Sequence, residues 1–184
     1  MYGPARRFSK LNRSVSKQGI ISFAESLPDR CKNERDMILR NGEGKWDTRI
    51  RKSFAEVLSF WFCEAFELSP AESKGYLYVE GWNPIPDNMR GLPFFGTKMH
   101  PDAALIFSKE LAIAVELDHG TKGSQIRNAL AKASFSVILG GYKRAMVLFF
   151  IDGEKRELNL GLQRGERTVL QLYRTTFRTS LHLV

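Results

Sequence analysis

Two apolar runs, residues 102–107 and 111–118, separated by Ser108-Lys109-Glu110, constrain this fold more than any other stretch. A three-residue loop pairs Phe107 with Leu111, and counting outward sets Asp102 opposite Glu116. Strand side chains alternate between faces. The odd-numbered face carries Ala103, Leu105, Phe107, Leu111, Ile113, Val115 and Leu117, all apolar. The even-numbered face has Ala104, Ile106, Ala112 and Ala114 in its middle, and Asp102, Glu116 and Asp118 at one end. Neighbouring carboxylates repel, and a divalent cation relieves that repulsion. An all-oxygen set suits Mg²⁺, Mn²⁺ or Ca²⁺. Ordinary surface acids at a strand end would give the same pattern.

Around this hairpin the periodicity predicts a helix over 46–66, with Ile50, Phe54, Val57, Leu58, Trp61, Phe62 and Ala65 on one face. Ser69-Pro70 is expected to end it. A weak helix is expected near 34–40, and a short strand at 75–82. A loop rich in Pro and Gly follows at 83–96, carrying Met89, Phe94 and Phe95. A second helix is expected over 124–139, stopped by Gly140-Gly141. An apolar strand, buried on both faces, is expected over 142–151. Beyond it the tail suggests one or two strands, near 157–162 and 168–173.

The 184 residues suit one domain, and 43% hydrophobic residues can bury a sizeable core. Lys and Arg outnumber Asp and Glu by 28 to 20, a net charge of +8. That balance favours a polyanionic partner such as nucleic acid. Residues 1–19 read as a basic arm. Lys143 and Arg144, with Arg164, Arg167, Arg174 and Arg178 in the tail, suit phosphate contacts or serve as solvated charge. Cys31 and Cys63 fit neither a zinc knuckle nor a disulfide framework. Free buried thiols and a reducing cytoplasm are expected, with no signal peptide and no membrane-spanning run.

The order helix, strand, strand, strand, helix, strand over 46–151, with Pro101-Asp102 and then Glu116-Leu117-Asp118, resembles the core of the PD-(D/E)xK, or restriction-endonuclease-like, nucleases. The resemblance implies an α/β fold, a central mixed β-sheet flanked by helices. It implies a single nuclease domain over 1–184 with its catalytic core at 46–151. Asp102 and Glu116 would hold Mg²⁺ or Mn²⁺, with the Leu117 carbonyl as a further ligand, to hydrolyse DNA phosphodiester bonds.

The family motif usually ends in Lys, where this chain has Asp118. An acid there can bind a second metal or orient water, but it supplies no cation. Lys98, Lys122 and Lys132 are candidates for the missing charge, and Gln125 for orienting water. These four residues and Arg127 are also candidate phosphate contacts. Many family members add an acid from the first helix. Glu56 is expected here, with Asp47 and Glu64 as alternatives.

The chain resembles a small type II restriction enzyme, which implies a homodimer acting on a double-stranded site. A repair or junction-resolving nuclease is the nearest mechanistic relative. Two other classes stay open. One is a non-catalytic nucleic-acid-binding protein on a degenerate nuclease fold. The other is a different metal enzyme using His100, Asp102, Glu116 and Asp118.

Overall fold

The computed structural model describes residues 15–40, 46–85, 92–94, 97–120, 123–151 and 164–184, with backbone alone at 40, 46–48, 92–94, 97–99 and 164–166. Helix α1 (Lys17–Asn33) begins where the Ser16 side chain accepts the Gly19 N–H. Its buried residues Ile20, Phe23, Ala24, Leu27 and Cys31 recur at intervals of three and four. The expected basic arm therefore ends by Lys17, and a long helix precedes the expected short one, α2 (Arg35–Arg40). Pro28 lies inside α1, where sequence alone gives least reason to continue a helix.

Helix α3 (Trp46–Phe66) fills its expected span. Glu67, at φ 53, turns the chain out of it. Ser69-Pro70 does not end α3 but starts α4 (Pro70–Ser73), where Ser69 and Glu72 form a reciprocal capping box.

The remaining elements are β1 (Leu77–Val79), β2 (Leu92–Phe94), β3 (Thr97–Met99), β4 (Ala103–Ile106), β5 (Ala112–Gly120), α5 (Gly123–Ile138), β6 (Arg144–Ile151), α6 (Arg164–Thr176) and β7 (Thr179–Leu183). A five-stranded mixed sheet runs β1-β4-β5-β6-β7. Its β1–β4 and β4–β5 pairs are antiparallel, and its β5–β6 and β6–β7 pairs are parallel. Taking α3, β1, β4, β5, α5 and β6 in turn, the helix and strand order expected over 46–151 is present. The separate β2–β3 hairpin is inserted between β1 and β4. The segment 83–96 is thus not wholly loop.

The β4–β5 register is the one the sequence dictates: Ala103 faces Val115, Ala104 faces Ala114, Leu105 faces Ile113 and Ile106 faces Ala112. The odd-numbered side chains join a core with α1, α2 and α3. The even-numbered ones join a second core with α5, where Ile126, Ala129, Leu130 and Ala133 pack on Ala104, Ala112 and Ala114. Small residues on that face let the helix approach closely. Strand β6 is buried on both faces beyond Arg144, as expected of a central parallel strand.

The tail departs from expectation. Residues 168–173 lie within α6, not in a strand. Leu170 and Tyr173, one helical turn apart, pack on the α5-side core. The other expected strand, 157–162, lies outside the described residues. The parallel edge strand is instead β7.

Both cysteines are free, Cys31 buried and Cys63 half-buried. Burial pushes the Cys31 thiol up to about 12. A thiol reagent added to native protein should therefore label Cys63 first and reach Cys31 only after denaturation. Rapid labelling of both in the native state would contradict this packing.

Candidate active site

Asp102 and Glu116 are 2% and 1% exposed, an unusual burial for two neighbouring carboxylates. Asp102 sits just before β4, and its Oδ2 accepts the Leu117 N–H at 2.9 Å. This bond fixes the carboxylate beside Glu116 on the facing strand.

Two cations compensate the pair. On α5, Lys132 Nζ lies 2.6 Å from Glu116 Oε2 and 3.6 Å from Asp102 Oδ2. On α3, Arg51 donates Nε and Nη2 to Asp102 Oδ1, both at 3.0 Å, and its Nη1 pairs with Glu80 Oε2 at 3.1 Å. The Lys132–Glu116 contact is short and charge-assisted. Glu116 Oε1 accepts no hydrogen bond although it is buried.

Burial first, and the Asp102 charge second, push the Glu116 carboxyl well above the usual carboxylate range, against the pull of Lys132. Burial alone would lower the Lys132 pKa. The Glu116 and Asp102 charges outweigh it, and the ammonium is held above its ordinary value. Asp118 is half-buried on the same face of β5, with Oδ1 accepting the His119 N–H at 2.7 Å. Burial raises its pKa too, and Asp102 adds to the effect.

Of the expected site residues, the structure brings together Asp102, Glu116 and Lys132, with Asp118 two positions along β5. Leu117 contributes its N–H to Asp102. Glu56 is exposed. Five helical positions separate it from Arg51, about 140° around the axis, so it points away from the direction in which Arg51 reaches Asp102. Glu64 is also exposed and pairs with Arg30 at 4.0 Å. The Asp47 side chain lies outside the described residues. Helix α3 thus supplies a cation to this cluster where an acid was expected.

Lys98 lies on β3, opposite Pro93 in the separate hairpin, and does not extend β4. Lys122 lies outside the described residues. Arg127 is exposed, five positions before Lys132 on α5. Gln125 packs its side chain against Gly120, where any Cβ would collide with it. It therefore stands near the end of β5, beyond Asp118. His100 and His119 are half-buried. No group of three or more His, Cys, Asp or Glu side chains able to hold a metal occurs among the described residues.

Arg51 was missed, although a signal existed. It stands in helical register with Ala55, Leu58 and Phe62, all 1% exposed or less. A cation in line with a buried stripe has to find a counter-charge. Lys132 carries the same mark, aligned with buried Ala129 and Ser136.

Would the pair suit a divalent cation? Two adjacent carboxylates, one with a buried oxygen that accepts no hydrogen bond, form a hard oxygen set. Mg²⁺ characteristically uses one or two carboxylates and completes its shell with water and phosphate oxygens. The residues fit such an ion. To take Glu116 Oε2 as well it must displace the Lys132 ammonium, which is half-buried on a flexible stem.

No protein-family model matches this chain, and no match of significance was found among curated proteins or solved structures. Among the described residues no helix is long and apolar enough to cross a membrane.

Proposed function

We propose that this chain is a divalent-metal-dependent phosphodiesterase that cuts double-stranded DNA, on a core resembling that of the PD-(D/E)xK nucleases. One observation carries the reading: Lys132 reaches Glu116 and Asp102 from α5, supplying the cation that Asp118 cannot. Asp102 and Glu116 would hold Mg²⁺ or Mn²⁺. When bound, such an ion lowers the pKa of water and neutralises charge on the scissile phosphate. Lys132 would give up its contact with Glu116 and turn its ammonium to the phosphate or the attacking water. Arg51 would keep Asp102 oriented. A two-fold dimer on a symmetric site belongs to the same proposal.

A second reading has its own support. Asp102 already has Arg51, Lys132 and the Leu117 N–H as partners, so the cluster can also serve as a buried ion-pair network in a protein that binds DNA without cutting it.

Plasmid incubated with purified protein separates the two. Mg²⁺-dependent nicking or linearisation is expected, with Asp102→Asn slower by at least about 100-fold and circular dichroism confirming that the variant is folded. DNA left intact with Mg²⁺ or Mn²⁺ yet retarded in a gel would leave only the binding reading.

A further inference from the structure

We infer that a basic groove at the β7 edge of the sheet binds the phosphate backbone of duplex DNA, as a second contact apart from the carboxylate pair. The groove is about 990 Å³ and lies between α1 and α6, around the starts of β6 and β7. Lys143, Arg144, Arg167, Arg174 and Arg178 line it, and Glu25 is the one acid among the described lining residues. Glu25 is matched by Arg144 at 3.1 Å, and the other four cations are exposed. This concentrated positive charge accounts for part of the excess in the whole chain.

Arg178 supplies an independent observation. It follows α6 at φ 49, in the left-handed region, while its carbonyl accepts the Ala145 N–H at 3.1 Å. Glycine adopts that conformation freely and arginine does not. The chain holds a long cation at a position where folding alone favours glycine.

The occupant follows from shape and spacing. A concave slot between two helices admits a phosphodiester strand, whereas a flat bilayer surface cannot enter it. Glu116 pairs with Val147, three residues beyond Arg144, or about 10 Å along the strand, and β7 lies two strands from β5, about 10 Å across. In the plane of the sheet the two positions are therefore about 14 Å apart, the length of about four base pairs at ~3.4 Å each. The inference rests on the proposed reading only in choosing DNA as the polyanion.

Anisotropy of a short labelled duplex, titrated with protein in EDTA over a salt series, tests it without cleavage. Arg174→Ala and Arg178→Gly should each weaken binding about 3- to 10-fold and reduce the salt slope by about one. Arg178→Gly should melt no lower than wild type, which separates lost charge from lost fold. Lys74→Ala removes the same charge beside β1, at the opposite edge of the sheet, and should bind as wild type does. Unchanged affinity and slope in the two groove variants would overturn the inference. So would an equal loss in Lys74→Ala, or binding to phosphatidylserine vesicles, lost in the groove variants, with none to the duplex. A protein that binds through the groove but never cleaves sinks the nuclease reading alone. One that cleaves yet ignores both substitutions sinks this inference alone.

Discussion

Replacing Lys132 with methionine is expected to slow metal-dependent cleavage by about 100- to 1000-fold, while tightening Mn²⁺ binding. The opposite signs come from one contact. Lys132 Nζ sits 2.6 Å from Glu116 Oε2, within the space a cation on that oxygen would need. A divalent ion must displace it, so removing the ammonium removes a competitor. The same ammonium is the one cation that α5 offers the carboxylates among the described residues, and without it the developing phosphate charge loses a partner. Methionine retains the apolar stem, so packing beside Ala129 and Ser136 is largely preserved. Isothermal titration with Mn²⁺ and single-turnover cleavage measure the two arms. Wild-type cleavage in Lys132→Met would remove the lysine from the mechanism. Weaker Mn²⁺ binding would mean that Lys132 organises the carboxylates rather than competing for them.

The parts of this site differed in legibility for physical reasons. The Asp102–Glu116 pairing was readable because the two faces of the hairpin differ in size: a slip by one residue sends Leu105, Ile113 and Val115 to the face where alanines let α5 approach. Lys132 was one of several basic residues near the motif, and its nearness to the carboxylates depends on how α5 lies across the sheet. Sequence periodicity gives a helix its buried face but not its axial position against another element. On α3 the family pattern points to an acid, whereas the alignment of Arg51 with Ala55 and Leu58 marks the arginine. The mistaken strand at 168–173 has a local cause. Val169, Leu170, Leu172 and Tyr173 crowd together, and short apolar clusters of that kind satisfy both periods. Only the sheet-facing pair, Leu170 and Tyr173, reveals the helix. The edge strand β7 is short and half-buried beyond Thr179, so little in its own composition announces it.

The protonation of Glu116 should appear as a pH dependence of stability, opposite in sign to that of an ordinary salt-bridged acid. Its folded pKa is raised from the ordinary 4.5, so the folded protein keeps a proton that the unfolded chain releases. The contribution is fully present below the unfolded value and is lost as pH rises through the folded one. Lys132 does not cancel this, because one half-exposed ammonium serves two carboxylates, and Asp102 adds repulsion at close range. Glu116→Gln reproduces the protonated form. Its amide oxygen can accept from Lys132 and its NH₂ group can donate to Asp102. In EDTA this variant should be more stable than wild type by about 1–2 kcal/mol at pH 8, with the two denaturation curves converging toward pH 4. A divalent ion demands the ionised carboxylate, so Mn²⁺ binding to wild type should release a proton and weaken by up to about tenfold per pH unit below the folded pKa. The variant should show neither the Mn²⁺-induced rise in melting temperature nor cleavage. If its advantage in EDTA is the same at pH 5 and pH 8, the Glu116 carboxyl is not raised. If Mn²⁺ still stabilises the variant as it does wild type, the cation does not use Glu116.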